Sequence, residues 1–400
     1  MMNAKVSGGT NDFAALHKAM RNYVERDIVA GISTAVLVGD QLADLHCMGW
    51  ADKEAGVTLR SDHIFRIFSN TKLITSCAVL LLWEDGHFGL DDPVDRFIPQ
   101  LAQRRVLRPG ATRIDDTEPA AGPITIRHLL SHSAGLSYGL FDPGTAIFDA
   151  YQRHQVRNPH TSLEQMMDTL AELPLVFHPG TSWEYSVATD VLSRLVEIVS
   201  GQRFDAFIQT RVLEPLGMVD TGFVIPPPQQ HRLAAMYAGA DTVSPLRSGL
   251  TRLDDAPYPG ANLAEFPRLS GGGGLVSTLP DMVALVRSLM PSGPALLRPE
   301  TLTLMTQNQL APGVRVQIPG FGTLPDKVFG LAGAMTVMPS SGGIQNAVGE
   351  MQWGGIAGTH WWVNPRANLA GVLMTQRQMS FWHPFSFDFK RYAYQAVGLD

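Results

Sequence analysis

Apolar residues recur along the chain first at helical and then at alternating spacing. Phe13, Leu16, Met20 and Val24 fall on one stripe, which predicts an amphipathic helix over 13–26. Ile32 to Val38 runs into a turn at Gly39-Asp40 and Ala43 to Trp50 returns, the pattern of a β-hairpin. A short apolar run, Phe65 to Phe68, leads into Ser69. Beyond it Leu73, Ile74, Ala78, Val79, Leu80, Leu81 and Leu82 predict a buried helix from Ser69 to about Gly86, a suitable C′ residue.

From about 87 to 270 the pattern is one of helices and loops. Thr125 can cap a helix over Ile126–Ser133, stopped by Gly135. Ser162–Leu173 and Ala188–Ser200 read as helices ended by Pro174 and Gly201, and 108–123 and 225–230 read as loops. The run Gly271–Gly274 precedes a predicted strand at 275–277 and a helix at 280–289. It lacks the Lys-Ser/Thr of a phosphate-binding loop. Short strands are predicted at 329–337, 350–356, 360–363 and 369–375, and a closing helix at 387–397. Strands at both ends with helices between imply one sheet completed by both termini, with a helical insertion.

Composition narrows the function. Hydrophobic residues make up 45% and charged residues 17% of 400, a globular balance. The net charge of −6 lacks the basic footprint of a nucleic-acid binder. No apolar run reaches the roughly 18 residues of a membrane span. The polar start, Met1 to Asp12, has no signal-peptide core, and Cys47 and Cys77 do not suggest a disulfide framework. A reducing, cytoplasmic setting is the expectation. His128 and His132, four apart on a predicted helix, lack the intervening Glu of a zinc-binding H-E-x-x-H pattern; they read as helix histidines bonded to nearby backbone, and no metal is expected.

Only six lysines occur, and Lys72 alone has a serine three positions before it. On a helix Ser69 and Lys72 share a face. A lysine entering an apolar helix is costly while charged, so its proton affinity should fall, and a hydroxyl beside such a base is an activated nucleophile. Two rival serines fit less well. Gly135-Leu136-Ser137-Tyr138-Gly139 matches G-x-S-x-G, but a helix and not a strand precedes it. Gly31-Ile32-Ser33-Thr34-Ala35 leads into a strand, so Ser33 reads as structural. Tyr185 is the candidate second proton-transfer group, its phenolate favoured by a nearby cation. The oxyanion donors would be the Ser69 N–H and a second backbone amide from Trp353-Gly354-Gly355-Ile356, where glycine permits close approach.

These segments resemble the serine β-lactamase and penicillin-binding-protein-like superfamily, in its class C branch and nearest the family VIII carboxylesterases. The likeness runs from about 13 to 395. It rests on Phe65-Arg66-Ile67-Phe68-Ser69-Asn70-Thr71-Lys72, Gly89-Leu90-Asp91-Asp92-Pro93-Val94, the stretch from Ile124 to Leu136, His178-Pro179-Gly180-Thr181-Ser182-Trp183-Glu184-Tyr185-Ser186, Glu214-Pro215-Leu216-Gly217-Met218, Gly271–Leu275 and Trp353-Gly354-Gly355. The resemblance implies Ser69 as nucleophile, Lys72 and Tyr185 as proton-transfer partners, and Ser69 and Ile356 N–H as the oxyanion hole. It implies an α/β fold with an antiparallel sheet flanked by helices (1–85 and 271–400), a mostly helical domain (86–270), and the site between them.

Two departures set the expected chemistry. Val187 stands where the β-lactamases have an amide-binding Asn, and Trp353 where they have the Lys that holds a substrate carboxylate. Gly354 replaces the threonine beside it. An aromatic ring in place of a cation favours neutral acyl esters. The expectation is a cofactor-free serine esterase of neutral, short- to medium-chain carboxylic esters, with Tyr138, Phe141, Phe321, Trp353, Gly354 and Gly355 around the acyl group. The alternatives are a β-lactamase or D-Ala-D-Ala peptidase, an acyltransferase through the same acyl-enzyme, and a non-catalytic acyl-binding sensor.

Overall fold

A computed structural model describes residues 11–318, 322–339 and 343–399. The chain opens with α1 (Ala14–Glu25), the hairpin β1 (Gly31–Val38) and β2 (Gln41–Asp52), and β3 (Val57–Thr58). β4 (Phe65–Arg66) passes through a 3₁₀ turn at Phe68–Asn70 into α2 (Thr71–Glu84). Two short hairpins follow among helices: β5 (Arg105–Leu107) with β6 (Thr117–Pro119), and later β7 (Met236–Gly239) with β8 (Leu250–Leu253). Between the hairpins lie α3 (Ile126–Leu130), α4 (Ala146–Arg153), α5 (Leu163–Ala171), α6 (Ala188–Ser200), α7 (Phe204–Ile208) and α8 (Glu214–Leu216). The remainder holds β9 (Val276–Ser277), α9 (Leu279–Arg287), α10 (Pro299–Met305), β10 (Gln317–Ile318), β11 (Gly322–Thr323), β12 (Lys327–Phe329), β13 (Ala334–Thr336), β14 (Met351–Gly354), β15 (His360–Asn364), β16 (Leu369–Met374) and α11 (Pro384–Ala396).

The main sheet is antiparallel, in the order β12-β13-β14-β15-β16-β1-β2-β3, so strands from both ends of the chain meet at the β16–β1 pair. Burial along the central strands splits by parity. Ile32, Val36, Leu373 and Trp362 pack with Leu16 and Met20 of α1 and Phe385 and Phe389 of α11. Ala35, Leu37, Val372, Met374, Trp361 and Val363 face α2 and α9 on the other side. That period of two is what a strand covered on both faces requires. At Gly371 a Cβ would lie 2.7 Å from the Trp362 indole, so glycine lets that ring lie across β16. No helix among the described residues is long and apolar enough to cross a membrane.

The structure corrects several expected boundaries. The strand expected over 329–337 is two strands, β12 and β13, joined by a turn in which Gly330 N–H donates to Gly333 O at 2.9 Å. Leu331 and Ala332 in that turn are buried, so it carried no polar signal. α3 stops at Leu130 rather than Ser133. The carbonyls of His132 and Ser133 instead accept from Glu184 and Gly180 N–H, and His132 has φ +56°. β6 falls inside the stretch expected to be a loop, and α4, α10 and the β7–β8 hairpin fall where no element was expected.

Candidate active site

Ser69 sits where β4 turns into α2. β4 is held by β9, with Phe65 opposite Ser277 and Arg66 opposite Val276. Phe68 then takes φ +44°, a conformation costly for a bulky side chain and concentrated at functional sites. Ser69 follows it within the 3₁₀ turn, one turn ahead of α2 and not inside it.

Lys72, in the first turn of α2, is 3% exposed. Its Nζ lies 3.3 Å from Ser69 Oγ and donates to Gly272 O at 2.5 Å. It also lies 4.6 Å from the Tyr185 ring centroid and 5.4 Å from that of Tyr138, over their electron-rich faces. Burial pulls its proton affinity below the ordinary lysine value, with Tyr138 and Asp190 opposing. The glycine run makes the Gly272 contact possible. A Cβ at Gly271 would lie 1.9 Å from Ser193 Oγ, and one at Gly272 2.6 Å from Asp190 Oδ2. Glycines alone let this segment lie against α6 and aim a carbonyl at Lys72.

Tyr185 OH lies 2.5 Å from Ser69 Oγ and accepts from Trp353 Nε1 at 3.4 Å. Burial raises its phenol above the ordinary tyrosine value, against the lowering effect of its bonds to Ser69 and Trp353. This corrects the expectation of a favoured phenolate: desolvation disfavours the charged form of phenol and amine alike.

The glycines at the end of β14 fit their neighbours closely. A Cβ at Gly355 would lie 2.4 Å from Thr359 Oγ1 and 2.5 Å from Ile67 O, and one at Gly354 2.3 Å from the His360 ring. Gly355 N–H donates to Thr359 O at 2.6 Å and Thr359 Oγ1 to Ile67 O at 3.1 Å. Ile356 is thereby held beside the turn carrying Ser69. Its N–H has no acceptor among the described residues. Gly354 and Gly355, expected around the acyl group, are packing positions and do not line the cavity.

Ser69, Tyr185, Ile356, Trp353, Tyr138 and Phe141 all line one cavity of about 1720 Å³. Tyr138 stacks on Tyr185 with centroids 5.3 Å apart, and Trp353 contacts the rings of Tyr185, Phe329 and Phe381 at 5.1–5.3 Å. Phe321 lies outside the described residues. Val187 is fully buried and donates its N–H to Ser137 O, so no side-chain amide faces substrate there.

The rival residues are engaged elsewhere. Ser137 is buried in a loop between Tyr151, whose hydroxyl accepts its N–H at 3.1 Å, and Gly139. His128 Nδ1 accepts from Thr125 N–H at 3.2 Å in a capping box, and His132 Nδ1 lies 3.1 Å from Ser186 Oγ. Cys47 and Cys77 are free thiols. Sequence reasoning missed Asp190, a fully buried acid on α6 that accepts from Ser270 Oγ at 2.5 Å and opposes the fall in Lys72 proton affinity. Its one signal was an acid on the apolar face of the 188–200 helix.

The beta-lactamase family profile matches residues 16–384. Esterase EstB of Burkholderia gladioli is 32% identical, over 90% of this chain and 88% of that protein. Lovastatin esterase of Penicillium rubens is 32% identical, over 78% and 79%. Among solved structures, EstCE1, described as a hydrolase with promiscuous acyltransferase activity, superposes with a TM-score of 0.80 at 25% identity, covering 95% of this chain and 97% of that one. Family match, relatives aligned over most of their length and shared fold converge on one assignment: the chain belongs to the beta-lactamase family of serine hydrolases.

Proposed function

We propose that this protein is a carboxylesterase that works through an acyl-enzyme on Ser69. The observation carrying this reading is one hydroxyl contacted by two proton-transfer groups, Lys72 Nζ at 3.3 Å and Tyr185 OH at 2.5 Å, on the wall of a large cavity. In this scheme neutral Lys72, directly or through Tyr185, takes the Ser69 proton as Oγ attacks the ester carbonyl. The Ser69 and Ile356 N–H groups hold the oxyanion, and loss of one such donor typically costs about a hundred- to a thousandfold in kcat. The proton passes to the departing alcohol, and water, activated by the same pair, releases the acid.

The aromatic wall of Tyr138, Phe141 and Trp353 suits a neutral, apolar acyl group of short to medium length. The buried Val187 and the ring of Trp353 leave unfilled the two polar contacts that a β-lactam or peptide substrate needs at these positions. The esterase names of two relatives support the same reading, and the description of EstCE1 supports acyl transfer to an alcohol as a side reaction. The test is intact-protein and peptide mass spectrometry after reaction with p-nitrophenyl butyrate and with a fluorophosphonate. Both adducts should map to Ser69, and Ser69→Ala should lose turnover with its melting temperature retained. An adduct on Ser137 would overturn the proposal.

A further inference from the structure

The cavity wall is charged against the sign of the whole chain. The protein carries −6, yet four arginines, Arg66, Arg157, Arg203 and Arg268, line the cavity against two acids, Asp205 and Glu265. Three of the four are occupied. Arg203 pairs with Asp205 at 2.8 Å. Arg268 lies 3.8 Å from Asp190 and donates to Val156 O at 3.1 Å. Arg157 lies over the Tyr138 ring at 5.5 Å.

Arg66 is different. It lies three residues before Ser69 and is only 7% exposed. Its backbone is clamped by the Gln376 side chain, which accepts from Arg66 N–H at 3.1 Å and donates to its carbonyl at 3.0 Å, so the root of the side chain is fixed. Its Nε is buried with no acceptor, and the guanidinium meets no carboxylate, carbonyl or aromatic face among the described residues. Burial pulls the group down to about 10, which leaves it charged at neutral pH. A buried cation without a partner is one of the costlier features a fold can carry. A guanidinium is also the group best shaped to take a carboxylate in two parallel hydrogen bonds.

We propose that Arg66 is an anion-recognition residue of this site, and that the preferred ester carries a carboxylate away from its scissile bond, gripped by Arg66 while Ser69 attacks. This rests on the esterase reading above and adds a substrate class to it. The apolar wall at Trp353 takes the acyl group, and Arg66 of β4 is a separate cation on the wall of the same cavity. The excess of arginines would also raise the local concentration of an anionic ester.

The test compares two matched pairs of esters. 4-Butyryloxybenzoate and its methyl ester place the charge on the alcohol half; monophenyl glutarate and its methyl ester place it on the acyl half. For at least one pair the unmodified enzyme should show a higher kcat/KM for the acid. Arg66→Gln should lower that acid-to-methyl-ester ratio roughly ten- to a hundredfold, mainly through KM, and Arg66→Lys should recover part of it. The pair that responds identifies the charged half. Ratios that do not differ between the enzyme and Arg66→Gln for either pair would overturn the proposal. A second measurement needs neither turnover nor a variant. Calorimetric titration of the unmodified protein should show 4-hydroxybenzoate binding more tightly than 4-hydroxybenzamide, with the difference shrinking as salt is added. Equal affinities would overturn Arg66 recognition of a carboxylate on the alcohol half, whereas failure to hydrolyse any of the four esters would count against the esterase reading instead.

Discussion

Lys72 makes function and stability pull in opposite directions at a single side chain. Burial lowers its proton affinity, and in the proposed scheme the neutral amine takes the Ser69 proton. The expected kcat/KM profile rises with pH through the lowered Lys72 value, on a limb below the ordinary lysine range near 10.5. The same burial destabilises the fold wherever the unfolded lysine holds a proton. Below the lowered value both states are protonated and the full penalty applies. Between that value and 10.5 the unfolded chain binds more protons, so stability rises with pH, and above 10.5 the penalty is gone. Lys72→Met should therefore abolish turnover yet melt at a higher temperature at pH 7, the gain fading in alkaline solution. A variant that melts lower at pH 7 would refute the burial argument. That Ser69 and Lys72 meet was legible from their helical spacing, whereas no spacing could place Tyr185, 116 residues from Ser69, beside them. The direction of the Tyr185 shift was not legible either, because it depends on how completely other segments cover the ring. Nor was the Gly272 contact, since a carbonyl acceptor leaves no mark in the sequence beyond the glycines that admit it.

Between strand and turn, positioning is set by what glycines leave out. β14 ends against the Ile67 carbonyl, and Gly355 has no room there for a methyl group. In Gly355→Ala the added carbon must push the Ile356 N–H away from Ser69. The expected result is a fall in kcat of at least about tenfold, with a smaller change in KM, since one oxyanion donor is worth about a hundred- to a thousandfold. Steady-state kinetics on p-nitrophenyl butyrate checks this, and an unchanged kcat would remove Ile356 from the oxyanion site. At this scale sequence reading found α1, the β1–β2 hairpin, α2, α5, α6 and α9 because each has a capped or turn-bounded apolar period. It missed the short hairpins, whose three- or four-residue strands are too brief to alternate. It also merged β12 with β13, because the turn between them is buried and apolar.

For the molecule as a whole, the question is what holds a sheet whose halves lie far apart in sequence. That both ends contribute strands was legible from alternating runs at 32–50 and 350–375. What locks them was not, because it pairs residues of unrelated local pattern. Lys390 of α11 donates to Glu350 and to Gln352, and Tyr394 OH bonds Glu350 Oε2 at 3.0 Å. Glu350 is fully buried and immediately precedes β14, the strand that carries Trp353 and leads to Ile356. α11 thus anchors a site-bearing strand from the opposite face of the sheet. Lys390→Met leaves the Glu350 carboxylate buried without its cation, which should cost about 3–5 kcal/mol in urea unfolding. Adding Glu350→Gln removes the stranded charge while keeping an acceptor for Tyr394, so the double variant should recover most of that loss. If the two variants are equally unstable, the damage comes from lost packing of the lysine stem, and charge pairing across the sheet is not what holds β14 in place.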